Sequence, residues 1–155
     1  MNINSISPKS KVNFLQMAVG GYTNPEDRIK IIKYLIKKNI DINYTGGREK
    51  MNALHILLSD FHNEDMKLKS TITKILVENG IDINARDSHD GTALVYLVCN
   101  NSIKTEEAKE LIVYLIKKGA DYKRIDKYEN TLMDYAINMQ KTEFIEIVKE
   151  LENDK

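Results

Sequence analysis

Residues 78–87 read ENGIDINARD, and the chain says nearly the same thing twice more, as KNIDINYTG at 38–46 and KGADYKRID at 118–126. Each copy closes a longer string: IIKYLIKKNIDIN (31–43), ITKILVENGIDIN (72–84) and LIVYLIKKGADYK (111–123), with FIEIVKELENDK (144–155) as a degenerate fourth. A second family alternates with the first: NFLQMAV (13–19), NALHILL (52–58), TALVYLV (92–98) and TLMDYAI (131–137), with starts 39, 40 and 39 residues apart. Two unrelated strings recurring in alternation at a near-constant period mark a repeat array, in which one small unit stacks on copies of itself.

Both strings predict helices. Ala108, Leu111, Ile112, Leu115 and Ile116 fall at i, i+3, i+4, i+7 and i+8, one stripe of a helix, and Leu68, Ile72, Ile75 and Leu76 form the same stripe one repeat earlier. Gly80 and Gly119 follow where a left-handed residue must end the helix; Asn39, the next best tolerated type, fills that column in the first copy. Asn13, Asn52, Thr92 and Thr131 open the short strings, and all four are capping types expected to accept a backbone hydrogen bond at a helix start. The segments between are rich in Gly, Asp, Asn and Lys. The predicted fold is an all-α repeat solenoid of helix pairs joined by hairpin-like loops. It forms a single domain with repeats at 12–44, 45–85, 86–124 and 125–153, the first and last acting as caps. Lys149 occupies the column of Ile36, Val77 and Ile116, so no fifth repeat is expected over it and the array is expected to be complete.

These residues resemble the ankyrin repeat. That family has a period of about 33 and a T-P-L-H-x-A signature, eroded here to NALHIL, TALVYL and TLMDYA. Its G-A-D-h-N string survives as Gly119-Ala120-Asp121 and as GIDIN at 80–84, and the resemblance covers residues 12–153. The Trp-Leu-Gly signature of tetratricopeptide arrays is absent. The spacing departs from the family: cap to helix-ending column is 26, 28 and 27 residues in the first three repeats, against roughly 20 in the consensus. Leu111 to Phe144 is 33, so the last repeat lacks the insertion. The insertions carry Asn24-Pro25-Glu26-Asp27, Asn63-Glu64-Asp65 and Thr105-Glu106-Glu107. A cap, a proline at the first helical position and acids in the first turn all favour a helix start. The second helix of repeats 1–3 is therefore expected to be about one turn longer, roughly 5.4 Å.

The chain has 155 residues, 42% hydrophobic and 30% charged, with 23 basic and 23 acidic side chains. The charge is uneven: residues 1–50 carry 9 basic and 4 acidic side chains, which reads as a solvated lysine face. Cys99 is the lone cysteine, so neither an intrachain disulfide nor a cysteine zinc site is available. The N-terminal MNINSISPKSK has no signal-peptide core, and no apolar run approaches the ~20 residues of a membrane span. A cytoplasmic protein without membrane association is expected.

Little in the sequence suggests chemistry. His55 sits in the signature position, which by resemblance bonds the neighbouring hairpin backbone. His62 with Glu64 and Asp65 reads as a solvated loop rather than a metal site, since one imidazole and two mobile acids make a poor fixed ligand set. His89 falls at a hairpin tip. Gly46-Gly47 has no phosphate-loop Lys-Ser/Thr after it, and neither Cys99 nor any serine shows a paired base. Met17, Ile56, Tyr96 and Tyr135 repeat at one helical position and read as core between repeats. No enzyme activity, cofactor or metal is expected.

The resemblance implies recognition of a protein partner by a monomer through its concave face, made of hairpin tips and first-helix edges. The variable positions that map onto that face are Arg48, Glu49, Met51, Ser59 and Asp60 in repeat 2. In repeat 3 they are Arg86, Ser88, His89, Cys99 and Asn100, and in repeat 4 Lys127, Tyr128, Asn130, Asn138 and Met139. Tyr128 and Arg86 are the types that dominate interface energetics. By resemblance, the role would be that of an immunity or inhibitor protein, the alternative being a host-directed effector or a viral ankyrin adaptor. An ankyrin-framed enzyme and a nucleic-acid contact through Arg28, Lys30, Lys33, Lys37 and Lys38 are the lesser readings. With zero net charge, affinity for duplex DNA is expected to be weak and to fall steeply with salt; submicromolar, salt-resistant binding in a gel-shift titration is the result that contradicts this.

Overall fold

The computed structural model describes residues 2–21, 23–59 and 65–153. Among them lie eight α-helices: α1 (Phe14–Val19), α2 (Pro25–Lys37), α3 (Ala53–Ser59), α4 (Met66–Glu78), α5 (Ala93–Cys99), α6 (Thr105–Lys117), α7 (Leu132–Asn138) and α8 (Thr142–Asn153). Consecutive helices pair. The short helices α1, α3, α5 and α7 stack into one layer, and the long helices α2, α4, α6 and α8 into a second. The core runs unbroken between the layers. Leu15, Leu54 and Leu94 in the short helices face Ile32, Ile72, Leu76, Leu111 and Leu115 in the long ones, all buried. The described residues contain no extended strand pairing beyond isolated bridges, Ile6 with Asn13 and Gly46 with Met51.

The repeated D-x-N string is an inter-repeat clamp. Gly80 and Gly119 are left-handed (φ +87° and +98°), and Asn39 matches them at +59°. Two residues later, Asp41, Asp82 and Asp121 each turn the chain by accepting the backbone N–H of Asn43, Asn84 and Lys123 at 3.1, 2.9 and 3.0 Å. That turn aims the asparagine at the following repeat. Asn43 accepts from Asp82 N–H at 2.6 Å and donates to the Gly80 carbonyl at 3.1 Å. Asn84 does the same to Asp121 and Gly119, at 2.8 Å each. Asn4, in the segment before α1, repeats the device on Asp41 and Asn39 at 2.7 and 3.4 Å, so residues 2–13 act as the hairpin of the first helix pair. Lys123 takes the asparagine's place in the last hairpin, and its ammonium pairs with Glu152.

The caps behave as the sequence implies at three positions of four. Asn13, Asn52 and Thr131 accept from Gln16, His55 and Asp134 N–H at 2.9, 3.0 and 3.2 Å. Those three residues return a bond to the backbone N–H of the cap, at 2.9, 3.3 and 2.7 Å. Thr92 makes no side-chain cap bond, and the residue three positions on is Val95, which has no polar atom to reciprocate. Gln16 and His55 also reach the next hairpin, donating to the carbonyls of Met51 and Gly91. The resemblance assigned His55 that role. Its Nε2–H tautomer satisfies both bonds, with Nδ1 accepting from Asn52.

The long helices begin one turn early where insertions precede them. Measured from the aligned column Ile31, Ile72, Leu111 and Phe144, α2, α4 and α6 each start six residues before it and α8 only two. Asn24 caps α2 by accepting from Asp27 N–H at 3.0 Å, and Asp65 caps α4 by accepting from Lys67 N–H at 2.9 Å. Thr105 is the first helical residue of α6 rather than its cap, and Lys104 before it makes no capping bond. The added turn carries something the composition conceals: Arg28 and Lys69, in one column, are 2% and 0% exposed. Each crosses to the end of the short helix in its own repeat, Arg28 Nε donating to the Ala18 carbonyl at 3.2 Å and Lys69 Nζ to the Leu57 carbonyl at 2.9 Å. A cation there answers carbonyls that the helix leaves without partners and the negative end of its dipole. Arg28 therefore does not belong to the exposed basic surface of the first repeat, which retains Lys30, Lys33, Lys37 and Lys38. Ala108 fills the column in the third repeat.

Two predictions follow from this packing. Leu115 is fully buried, so Leu115→Ala should cost about 2–5 kcal/mol, read as a lower midpoint in urea at unchanged slope. His55 is held by burial below its ordinary 6.5, against opposing hydrogen bonds and carboxylates. Its unfolded form therefore takes up the proton first, so its contribution is complete above about pH 6.5 and is lost as the pH falls below that value. The melting temperature should decline between pH 7 and pH 5, and His55→Gln should flatten that decline.

Candidate functional site

The hairpins rise from the ends of the short helices, and each tip bends at a non-glycine residue in the left-handed region. Lys11, Lys50, Asp90 and Glu129, each two residues before a cap, have φ of 57°, 51°, 70° and 65°. The tips are tied together in sequence: Gly47 N–H donates to the Lys11 carbonyl at 2.8 Å, Ser88 N–H to Glu49 at 2.8 Å, and Lys127 N–H to Asp90 Oδ2 at 2.7 Å. Ser88 Oγ adds a bond to Glu49 Oε2 at 2.8 Å, and His89 Nδ1 lies 3.1 Å from the same oxygen. Arg86 pairs with Asp90, and Lys127 Nζ donates to the Ser88 carbonyl at 3.0 Å. Arg86 donation holds the Asp90 carboxyl below the usual range.

Below the last two tips lies a cavity of about 370 Å³ shared by repeats 3 and 4. Its apolar wall is Val95, Leu132 and Met139 with the rings of Tyr96, Tyr128 and Tyr135. Two aspartates set the ring positions. Asp126 accepts from Tyr128 and Asn130 N–H at 2.8 and 3.0 Å and from the Tyr135 hydroxyl at 2.6 Å. Asp87 repeats the pattern with the N–H groups of His89 and Gly91, both at 2.9 Å, and with the Tyr96 hydroxyl. Burial, then the Asp87 bond, pushes the Tyr96 phenol well up; the Asp126 bond, then burial, raises that of Tyr135. Both hydroxyls are therefore donors already used. Tyr96 and Tyr135 are half-buried and face this cavity, and Met17 in their column is exposed. The column is thus not simply core between repeats, because its outer edge lies on the tip-side surface.

Of the residues singled out from sequence, Arg86, His89, Cys99, Asn100, Tyr128, Asn130 and Met139 line this cavity. Asn100 is buried; its carboxamide oxygen accepts from Ser102 N–H at 2.8 Å and its carbonyl from Lys141 Nζ at 3.4 Å, holding the loop before α6. Arg48, Glu49, Met51, Ser59, Ser88, Lys127 and Asn138 lie elsewhere. Arg48 is almost fully exposed beside Glu49, at 3.7 Å, and Ser59 Oγ donates to the Ile56 carbonyl at 3.3 Å. Asp60 lies outside the described residues, as do Tyr22, Phe61, His62, Asn63 and Glu64. Sequence reading placed Tyr96 and Tyr135 in the core and did not single out Leu132 or Arg124; the recurrence of D-x-x-x-G/N with a tyrosine nine residues after the aspartate, at 87–96 and 126–135, was the available signal. The Cys99 thiol is pushed up by burial, partly offset by Lys141. Among the described residues, no three His, Cys, Asp or Glu side chains converge to hold a metal ion, and no helix is long and apolar enough to cross a membrane.

No protein-family model matches the chain. It is similar to two proteins of fowlpox virus (strain NVSL) that carry ankyrin-repeat names. It is 29% identical to FPV034 over 107 residues, which is 69% of this chain and 22% of the relative. It is 33% identical to FPV242 over 101 residues, 65% of this chain and 23% of the relative. The chain thus matches less than a quarter of the length of either curated relative. The paired helices, the reciprocal caps and the D-x-N clamp describe how one repeat is fastened to the next, and the two viral similarities agree with that architecture: the chain resembles ankyrin-repeat proteins.

Proposed function

We propose that the protein is a protein–protein interaction module that binds its partner through the concave face formed by hairpin tips and short-helix edges. The observation that carries this is Tyr128. It is 57% exposed beside the cavity between repeats 3 and 4, while only its backbone, the N–H and the carbonyl, is used to build the hairpin. An exposed tyrosine with little rotamer freedom to lose offers a large contact area with a polar tip. Lys127 Nζ stands 5.2 Å from the ring centroid and rigidifies it further. The scaffold around it is ordered by bonds that leave the outward surfaces of His89, Lys127 and Tyr128 available. The viral source of both relatives favours a viral adaptor over an immunity protein, with the partner drawn from the host.

The test begins with a partner captured from host extract and repurified, then titrated against variants. Tyr128→Ala should leave stability within about 0.5 kcal/mol, as for surface changes that touch no special feature. It should weaken partner binding by about 1–2 kcal/mol. Unchanged binding in Tyr128→Ala, with loss on altering Ile103 in the loop before α6, would place the interface on the other edge of the array.

A further inference from the structure

We infer that the cavity between repeats 3 and 4 is a socket for one large apolar side chain of the partner, an aromatic above all, with a carboxylate close by in the same segment. This rests on the protein-binding reading above and specifies the chemistry of what that face receives.

The apolar half of the inference comes from the cavity wall. Val95, Leu132 and Met139 offer no polar atom that demands a partner, and the tyrosine hydroxyls of residues 96 and 135 are committed to Asp87 and Asp126. The inserted group thus meets ring faces, ring edges and a thioether. Aromatic rings pack best against such walls, edge to face with tyrosine and against sulfur at the ring edge. A cavity of about 370 Å³ lies within the range of real binding pockets, towards the small end, which suits a single anchoring side chain rather than a large ligand.

The acidic half comes from the charges on the rim. Asp87 and Asp126 each accept three hydrogen bonds. Asp90 is taken by Arg86 and Lys127 N–H, and Asp121 accepts from Lys123 and Arg124 N–H at 3.0 and 3.1 Å. Arg124 differs: its guanidinium makes no hydrogen bond or ion pair with any described residue, although it lines the same cavity. The rim acids thus have hydrogen-bond donors, and Arg124, which lowers the Asp90 carboxyl only through its charge, is a guanidinium with its N–H groups still to be used. A carboxylate is the group whose geometry a guanidinium fork matches.

Selection of random 12-residue peptides displayed on phage against the full-length chain tests both halves. Enriched sequences should share a large aromatic residue with an Asp or Glu nearby. A synthetic copy of the strongest, labelled at its end, should lose at least tenfold in affinity by fluorescence anisotropy on Met139→Glu and on Arg124→Glu. Both positions are exposed, and melting curves should match those of the parent. Replacing the peptide acid with lysine should restore binding to Arg124→Glu and weaken it to the parent. Failure to enrich any sequence, enrichment without the aromatic, or equal binding by all three proteins overturns the socket. The protein-binding reading would still stand if a captured partner lost affinity on Tyr128→Ala while ignoring Met139→Glu and Arg124→Glu, so the two failures are distinguishable.

Discussion

One carboxamide at the end of each of the first three long helices settles where the helix stops and where the next hairpin starts. Asn4, Asn43 and Asn84 each grip a left-handed residue's carbonyl and the N–H two residues beyond it. The asparagine lies in one repeat and the gripped backbone in the next, so the bond that ends a helix is also the bond that sets the spacing of the array. The helix layers and the tip-to-tip ties of the first three pairs depend on that spacing. Of several polar bonds between repeats, this one recurs along the first three long helices, and at the last junction Lys123 stands in its place and pairs with Glu152.

The inserted turn solves a different problem. Short helices of six or seven residues end with most of their carbonyls unanswered. Extending α2 and α4 backwards brings Arg28 and Lys69 against those ends, with their ammonium or guanidinium donors inside. Burying a cation is costly unless it is fully hydrogen-bonded, and carbonyl oxygens at the negative end of a helix are suitable recipients. The third repeat has Ala108 in that column and instead receives Lys141 at the Asn100 carbonyl, from the following repeat. The insertions are therefore part of how the first two repeats hold themselves together.

Much of this was legible before any coordinates. The stripe through Leu111, Ile112 and Leu115 marked the buried face, the glycine column marked helix ends, and Asn24-Pro25 marked an early start for α2. The rest was hidden for physical reasons. Charged side chains normally announce surface, so Arg28 and Lys69 could not be read as interior. The left-handed tips are filled by Lys, Asp and Glu, which carry none of the conformational signal that a glycine would. Thr92 reads as a cap by type, but whether a cap closes depends also on its partner three residues on, and Val95 cannot serve. The cavity arises from adjacency across repeats: Tyr96 and Tyr135 lie on different short helices, and only stacking them at the right spacing turns two residues of one column into opposite parts of one wall.

The first helix pair shows what incomplete stacking means for motion. Ile31 is 43% exposed, whereas Ile72, Leu111 and Phe144 in its column are 0%, 2% and 0%. Every other pair is covered there by the one before it. In a linear array each unit gains most of its stability from its neighbours, so a pair less covered in that column opens at lower free energy than one fully covered. Opening therefore costs least around Ile31, and the cavity beneath Tyr128 is built on pairs whose counterparts in that column, Leu111 and Phe144, are covered.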